Sequence, residues 1–275
     1  MIVLGGSSRQ SLAALRVALD NSLKGVSAGD ASAISSDLFK ALVAIDSSTG
    51  LRRALTDSSR DSSSKSDLIS DLFKKSLGGP ALGLLANATA LRWSAPSGIA
   101  DAIEQIAVEA EATAANLSNS LDQVQSEIFT FSKLLIENPD LRTALSERSQ
   151  SAEAKQALIK SILGSKFSAS TNSLLAHSVE SRRARSIEKT IAAYSHAVTA
   201  RRNRVNAHIK SSIALSDGQA KKLADSLTKQ IGQPVHLNIE IDPSILGGIS
   251  IRFGDEVIDG TISNRLAEAS RALVS

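Results

Sequence analysis

Four histidines, a few glycine-rich steps and one cluster of cations are the residues that could do chemistry here, and each has a spacing that can be tested against a mechanism. His177, His196, His208 and His236 are widely separated and form no His-Glu-x-x-His or similar ligand pattern, so a metal site is not expected. Gly5-Gly6 and Gly78-Gly79-Pro80 are not followed by Gly-Lys-Ser/Thr, the sequence that closes a phosphate loop, so the chain itself is not expected to bind ATP. Asp242, Asp255 and Asp259 sit beside glycines. They read as turn and cap residues rather than as an acid–base pair. The run from Pro243 to Leu266 holds nothing that could act as a nucleophile poised beside a histidine, and the chain has no cysteine, which removes disulfides and thiolate zinc sites together.

The cations are more concentrated. Arg182, Arg183, Arg185, Lys189, Arg201, Arg202 and Arg204 fall within a short span and could line a groove for phosphates, which makes a nucleic-acid-binding adaptor using residues 182–204 the alternative functional reading. Only Tyr194 is interleaved with them, so a platform for stacking bases is poorly supported. A solvated face or an acidic protein partner is the other reading. Bulk charge favours neither: the net charge is +3, from 31 basic and 28 acidic residues.

The elements that must carry these residues are mainly helical. At 275 residues, 42% hydrophobic and 21% charged, the chain has the composition of a globular protein with a real core, divided into two or three units. Sliding the sequence against itself by 90 residues aligns Leu51-Arg52 with Leu141-Arg142 and Ala54-Leu55 with Ala144-Leu145. It also aligns Lys65 with Lys155, Leu68-Ile69 with Leu158-Ile159, and Leu84-Leu85-Ala86 with Leu174-Leu175-Ala176. Twelve of the forty-two positions from 51 to 92 are identical without a gap, where about four are expected by chance in so Ala-, Leu- and Ser-rich a chain. Phe39 falls on Phe129 in the same register. The expectation is a mainly α protein: two tandem helical-bundle units built on this internal repeat, at 1–104 and 105–203, and a small α+β C-terminal domain at 204–275.

Periodicity fills in the units. Leu12, Leu15 and Leu19 predict one face of a first helix, Leu38, Leu42 and Ile45 a second, and Leu68, Ile69, Leu72 and Phe73 another. Pro139 opens a helix in the second copy. From Ile99 to Leu135 the apolar residues alternate by three and four, as one long helix or as two joined near Ser118–Ser120. A seam of that length is a coiled-coil signature, but Ala110 and Thr113 are weak seam residues and favour packing within the bundle.

After Arg204 the period changes to two: Val205, Ala207 and Ile209 predict one strand, and Val235, Leu237, Ile239 and Ile241 another. Between them Ser216 caps a helix carrying Leu223, Leu227 and Ile231. Ile249, Ile251 and Phe253 begin a hairpin that turns at Gly254-Asp255 and returns through Glu256, Val257 and Ile258. Asp259-Gly260 ends it, and a closing helix follows with Ile262, Leu266, Ala269 and Leu273 on one face.

The last of these segments carries a signature. Gly247, Gly248, Ile249, Arg252, Gly254, Asp255, Val257, Ile258, Asp259, Gly260, Arg265 and Leu266 resemble, without a gap, the C-terminal signature of the delta subunit of F-type ATP synthase. That family includes the mitochondrial oligomycin-sensitivity-conferring protein. Thr261 stands where the family usually has Ser, and Asn138-Pro139-Asp140-Leu141-Arg142-Thr143-Ala144-Leu145 resembles its bundle motif. The resemblance covers about the last 170 residues and is greatest to long actinobacterial forms. It implies a non-catalytic stator subunit with no cofactor, monomeric within a hetero-oligomer and peripheral on the cytoplasmic side of the cell membrane. Its bundle would grip N-terminal helices of the alpha subunits, and its C-terminal domain would meet the stalk b subunits. By the same resemblance, helices near 105–118 and 169–182 would form the alpha-binding groove. The first copy would add a further stalk or head contact. No segment approaches the ~18 apolar residues of a membrane span, and the N-terminus lacks the basic flank of a secretory signal.

Overall fold

In the computed structural model, the described residues are all but 1–4, 148, 165, 181–185, 232–234, 244, 246, 254–255 and 261–275. The chain divides into two compact units, 1–199 and 200–275. The first holds α1 (Gly6–Ser22), α2 (Ala28–Ser47), α3 (Thr49–Thr56), α4 (Ser62–Phe73), α5 (Gly79–Ala90), α6 (Pro96–Leu117), α7 (Leu121–Glu137), α8 (Pro139–Ser146), α9 (Ala152–Leu163), α10 (Ala169–Ser178) and most of α11 (Ile187–Val205).

The helix ends follow from local chemistry. Ser27 accepts from the Asp30 amide while the Asp30 side chain returns to the Ser27 amide, a reciprocal cap at the start of α2. Asp61, Ser151 and Ser168 each accept a backbone N–H at the head of α4, α9 and α10. Proline stands in the first turn of α5, α6 and α8, where its missing N–H costs no helical hydrogen bond.

The stretch expected as one long helix or two is two. Asn119, at φ 55°, occupies the left-handed region between α6 and α7, and asparagine tolerates it because its short side chain can bond locally. The apolar alternation runs through the break because both helices turn apolar faces inward. Every residue of α6 from Ile106 to Ala115 is buried, including Glu109, Glu111 and Thr113. A helix buried on all sides is the central post of the bundle rather than one strand of an exposed coiled coil. The position 104/105, expected as a unit boundary, lies inside α6. Most expected core positions are buried: Leu12, Leu15, Leu19, Leu38, Leu42, Ile45, Ile69 and Phe73. Leu72 is instead 49% exposed, because it lies on α4 one position away from the stripe formed by Lys65, Ile69 and Phe73.

Helix order and boundaries recur at an offset of 90. α3 and α8 begin at 49 and 139, α4 and α9 at 62 and 152, α5 and α10 at 79 and 169. Buried lysines recur as well: Lys65 and Lys155 are the equivalent positions of α4 and α9.

The second unit carries β1 (Asn206–Ser211), α12 (Asp217–Ile231), β2 (His236–Ile241), β3 (Ile249–Phe253) and β4 (Glu256–Asp259), with sheet order β2-β1-β3-β4. β1 and β2 are parallel, with Ile209 opposite Ile239, and α12 makes the crossover that a parallel pair needs. β3 is antiparallel to both β1 and β4. Ala207, Ile209, Leu227, Val235 and Ile251 form the core, flanked by Leu215, Leu223, Ile231, Leu237 and Ile249. β2 departs from the expected buried face: Ile239 and Ile241 are 39% and 54% exposed. β2 is an edge strand, and the core ends beside its first residues.

Candidate partner-binding surfaces

The signature residues assemble a hairpin and its approach. Gly248 has φ 85°, a conformation that a side chain makes costly, and it turns the chain into β3. Gly260 closes the hairpin. Its N–H donates to the Ile249 carbonyl at 3.0 Å, and a Cβ there would lie 3.1 Å from that same oxygen. Arg252 pairs across the sheet with Val257 on one side and His208 on the other, and its side chain is exposed. β4 is, with β2, one of the two edges of the sheet among the described strands, and it carries Val257 and Ile258, 58% and 40% exposed. An edge strand with exposed apolar side chains offers both unpaired backbone groups and apolar area. Asp259 is exposed beside them. Gly254, Asp255, Arg265 and Leu266 lie outside the described residues, as do the hairpin turn and the expected closing helix.

Of the seven clustered cations, Lys189, Arg201 and Arg202 have described side chains, and that of Arg202 is half-buried. Arg201 is fully buried, Arg182, Arg183 and Arg185 lie outside the described residues, and Lys189 is exposed. The nucleic-acid reading gains no support. Among the described residues no group of three or more His, Asp or Glu is placed to hold a metal ion. His177 is committed to packing: its ring stacks on Phe39 with centroids 4.2 Å apart, and its Nδ1 lies 2.7 Å from Glu180.

The helices expected to make a groove in the second copy are already occupied by the chain itself. α2 lies along α6, where the Ser35 hydroxyl donates to the Ala107 carbonyl at 2.8 Å and Ser32 donates to Glu111 at 2.9 Å. Phe39, one turn further along α2, carries the contact across to His177 on α10. Small residues permit this approach, since Ala31 and Ser35 on α2 meet an alanine-rich α6.

Two further contacts tie the bundle together. The Arg16 guanidinium on α1 reaches the buried Glu109 carboxylate on α6 at 2.7 Å. A cavity of about 150 Å³ between α1, α6 and α11 is lined by Leu12, Glu104, Val108 and Tyr194 among others. The Tyr194 hydroxyl donates to Glu104 at 3.4 Å. Sequence reasoning missed a second pair of contacts altogether. The Gly78 amide at the head of α5 donates to Asp37 of α2 at 2.8 Å, and the Ser168 amide at the head of α10 donates to Glu127 of α7 at 3.0 Å. The signal for them was present: Asp37 and Glu127, like Gly78 and Ser168, are ninety residues apart.

The family model for the ATP synthase delta (OSCP) subunit matches residues 108–273. ATP synthase subunit delta of Streptomyces griseus is 36% identical over 98% of this chain and 99% of its own length. The Streptomyces coelicolor subunit is 37% identical over 98% of each chain, and that of Thermobifida fusca 35% over 98% of each. A chain of the Toxoplasma gondii mitochondrial ATP synthase hexamer, solved by cryo-electron microscopy, is 19% identical and aligns with a TM-score of 0.32. That alignment covers 61% of this chain and 97% of that one. The relatives span the first helices as fully as the last, whereas the family model begins inside α6. On these matches the chain belongs to the ATP synthase delta (OSCP) subunit family.

Proposed function

We propose that this delta subunit, a non-catalytic component of the peripheral stalk, works as a two-ended clamp. Its helical bundle holds N-terminal helices of the alpha subunits, and its α+β domain holds the stalk b subunits. In this reading it associates peripherally with the cytoplasmic side of the cell membrane through the complex. Among the described residues no helix is long and apolar enough to cross a membrane.

A stator must resist load without creeping, and the observation that supports the clamp is the central post: ten consecutive residues of α6, Ile106–Ala115, are buried. Such a post moves only as a unit with the helices packed on it, because close-packed interiors transmit strain rather than absorb it. At the other end, the apolar edge of β4 is the surface that fits the b subunits. In this reading the tandem organisation at 1–104, 105–203 and 204–275, with the two helical units sharing α6, gives each grip its own unit.

The test is co-purification of the tagged full chain with alpha and b subunits, comparing wild type with the double variant Val257→Lys/Ile258→Lys. Both side chains are exposed, so the fold is expected to survive. Recovery of b should fall at least tenfold with alpha retained. Undiminished recovery of b would remove the C-terminal contact from this proposal.

A further inference from the structure

The cavity between α1, α6 and α11 lies wholly within the first compact unit, and the clamp makes no use of it. Its walls are apolar. Ala193 and Ala197, one turn apart on α11, make one flat side, and Leu12 of α1 and Val108 of α6 make the others. Glu104 and Tyr194, 1% and 2% exposed, lie at its base, and the exposed Arg9 and His196 stand at its rim. A cavity of about 150 Å³ has room for one benzene-sized ring.

Core packing does not account for this lining. At the offset of 90 residues Arg9 and Arg16 fall on Ile99 and Ile106, both fully buried, so α1 carries cations where the second copy has core. Arg16 is engaged by Glu109. The Arg9 guanidinium, by contrast, makes no hydrogen bond or ion pair among the described residues. Voids larger than a water molecule are few in a close-packed domain, and apolar walls with a few convergent polar groups are the make-up of a ligand pocket.

We propose that this cavity binds a small hydroxylated aromatic carboxylate. The ring lies against the flat side made by Ala193 and Ala197. Its carboxylate takes the Arg9 guanidinium at the rim, the pairing that the planar fork favours, and a hydroxyl at the far end donates to Glu104. A carboxylate offers about four acceptor sites, so Glu104 can take this donor beside Tyr194, whose hydroxyl reaches it at 3.4 Å. The charges fix the orientation, because the buried carboxylate repels an anion at the base while the guanidinium attracts one at the rim. A ligand that is cationic instead would set its charge against Arg9 and Arg16. The bound acid touches three helices at once and fastens α1 to the post α6.

The test is calorimetric titration of the full chain with 4-hydroxybenzoate, whose about ten non-hydrogen atoms reach a Kd below ~1 mM at ordinary ligand efficiency. Arg9→Gln, at an exposed site, should weaken binding at least tenfold, and Ala193→Leu, which fills the slot, should abolish it. Lys133→Gln, exposed on α7, should leave it unchanged. Benzoate lacks the hydroxyl and 4-hydroxybenzamide lacks the charge, and each should bind at least tenfold more weakly than 4-hydroxybenzoate. Circular dichroism melting reports whether each variant is folded, and Arg9→Gln carries the test alone if Ala193→Leu does not fold. No saturable binding by wild type overturns the site. Binding undiminished in either folded variant places the ligand elsewhere and overturns it too. Benzoate binding as tightly as 4-hydroxybenzoate would remove Glu104 from recognition, and 4-hydroxybenzamide doing so would remove Arg9, and either overturns the ligand class. None of these outcomes bears on the alpha or b contacts.

Discussion

Glu127 on α7 takes the Ser168 amide on both carboxylate oxygens, each at 3.0 Å, and its Oε2 also accepts from the Ser168 hydroxyl at 2.7 Å. A carboxylate from one helix thus caps another across 41 residues of chain, adding negative charge where the dipole of α10 is positive. Burial pushes this carboxyl up. Hydrogen bonds from the Thr171 and Ser168 hydroxyls, the Ser168 amide and Gln123 outweigh burial and hold it below the ordinary value of 4.5.

The sign of its pH dependence follows. A carboxyl depressed in the folded state contributes stability above its unfolded value and loses it as pH falls through the folded one. Glu127→Gln keeps the shape but not the charge, and charged hydrogen bonds are worth about 1.5–3 kcal/mol. Urea unfolding should show Glu127→Gln less stable than wild type by ~2 kcal/mol at pH 7, with the gap closing toward pH 3. A gap that does not change with pH would show that shape, not charge, carries the contact.

Lys155 presents the opposite case. Burial lowers its ammonium below 10.5, only partly offset by the Glu147 carboxylate. A depressed lysine costs stability below its folded value, and the cost fades as pH rises toward the unfolded one. Lys155→Met retains the stem that packs against the core and removes the charge. It should raise stability by ~1 kcal/mol at pH 7, with less gain near pH 10. A loss at pH 7 in thermal melts would mean that the ammonium is satisfied where it lies.

Much of the bundle was legible because helices announce themselves twice, in apolar spacing and in caps. Leu12, Leu15 and Leu19 needed only the first signal, and Pro139 supplied the second. Spacing alone fails where the environment on the far side decides. Arg201 looked like a surface cation and is buried, and Ile241 looked like core and is exposed on an edge strand. The break at Asn119 left no trace in the hydrophobic period because both flanking helices face the same interior. That α2 seats itself on α6 and α10 could not be seen at all, since Ser35, Ala107 and His177 become neighbours only through tertiary packing.

That seating depends on a small side chain at position 35. Ser35 is fully buried and donates to the Ala107 carbonyl at 2.8 Å. Leucine there would both lose this bond and force α2 away from α6, and overpacking a filled core costs about 1–3 kcal/mol. Ser35→Leu should destabilise by at least ~2 kcal/mol in urea unfolding, whereas Ser35→Ala should cost ~1 kcal/mol, the worth of one net hydrogen bond. Equal costs for the two variants would argue that α2 is not held tightly against α6.

Gly248 offers the corresponding test in the α+β unit. At φ 85° the backbone lies where a Cβ crowds the neighbouring carbonyl, a penalty of about 1–2 kcal/mol for an L-residue. It leads directly into β3, whose Ile249 and Ile251 join the core while β4 hangs on its other side. Gly248→Ala should therefore cost ~1–2 kcal/mol and speed amide exchange in Ile251 and Val257, because both strands follow from that turn. Exchange in the first unit should stay unchanged, since Gly248 belongs to the second compact unit. Exchange at Ile251 equal to wild type would show that the signature glycine serves a partner contact rather than the fold of its own hairpin.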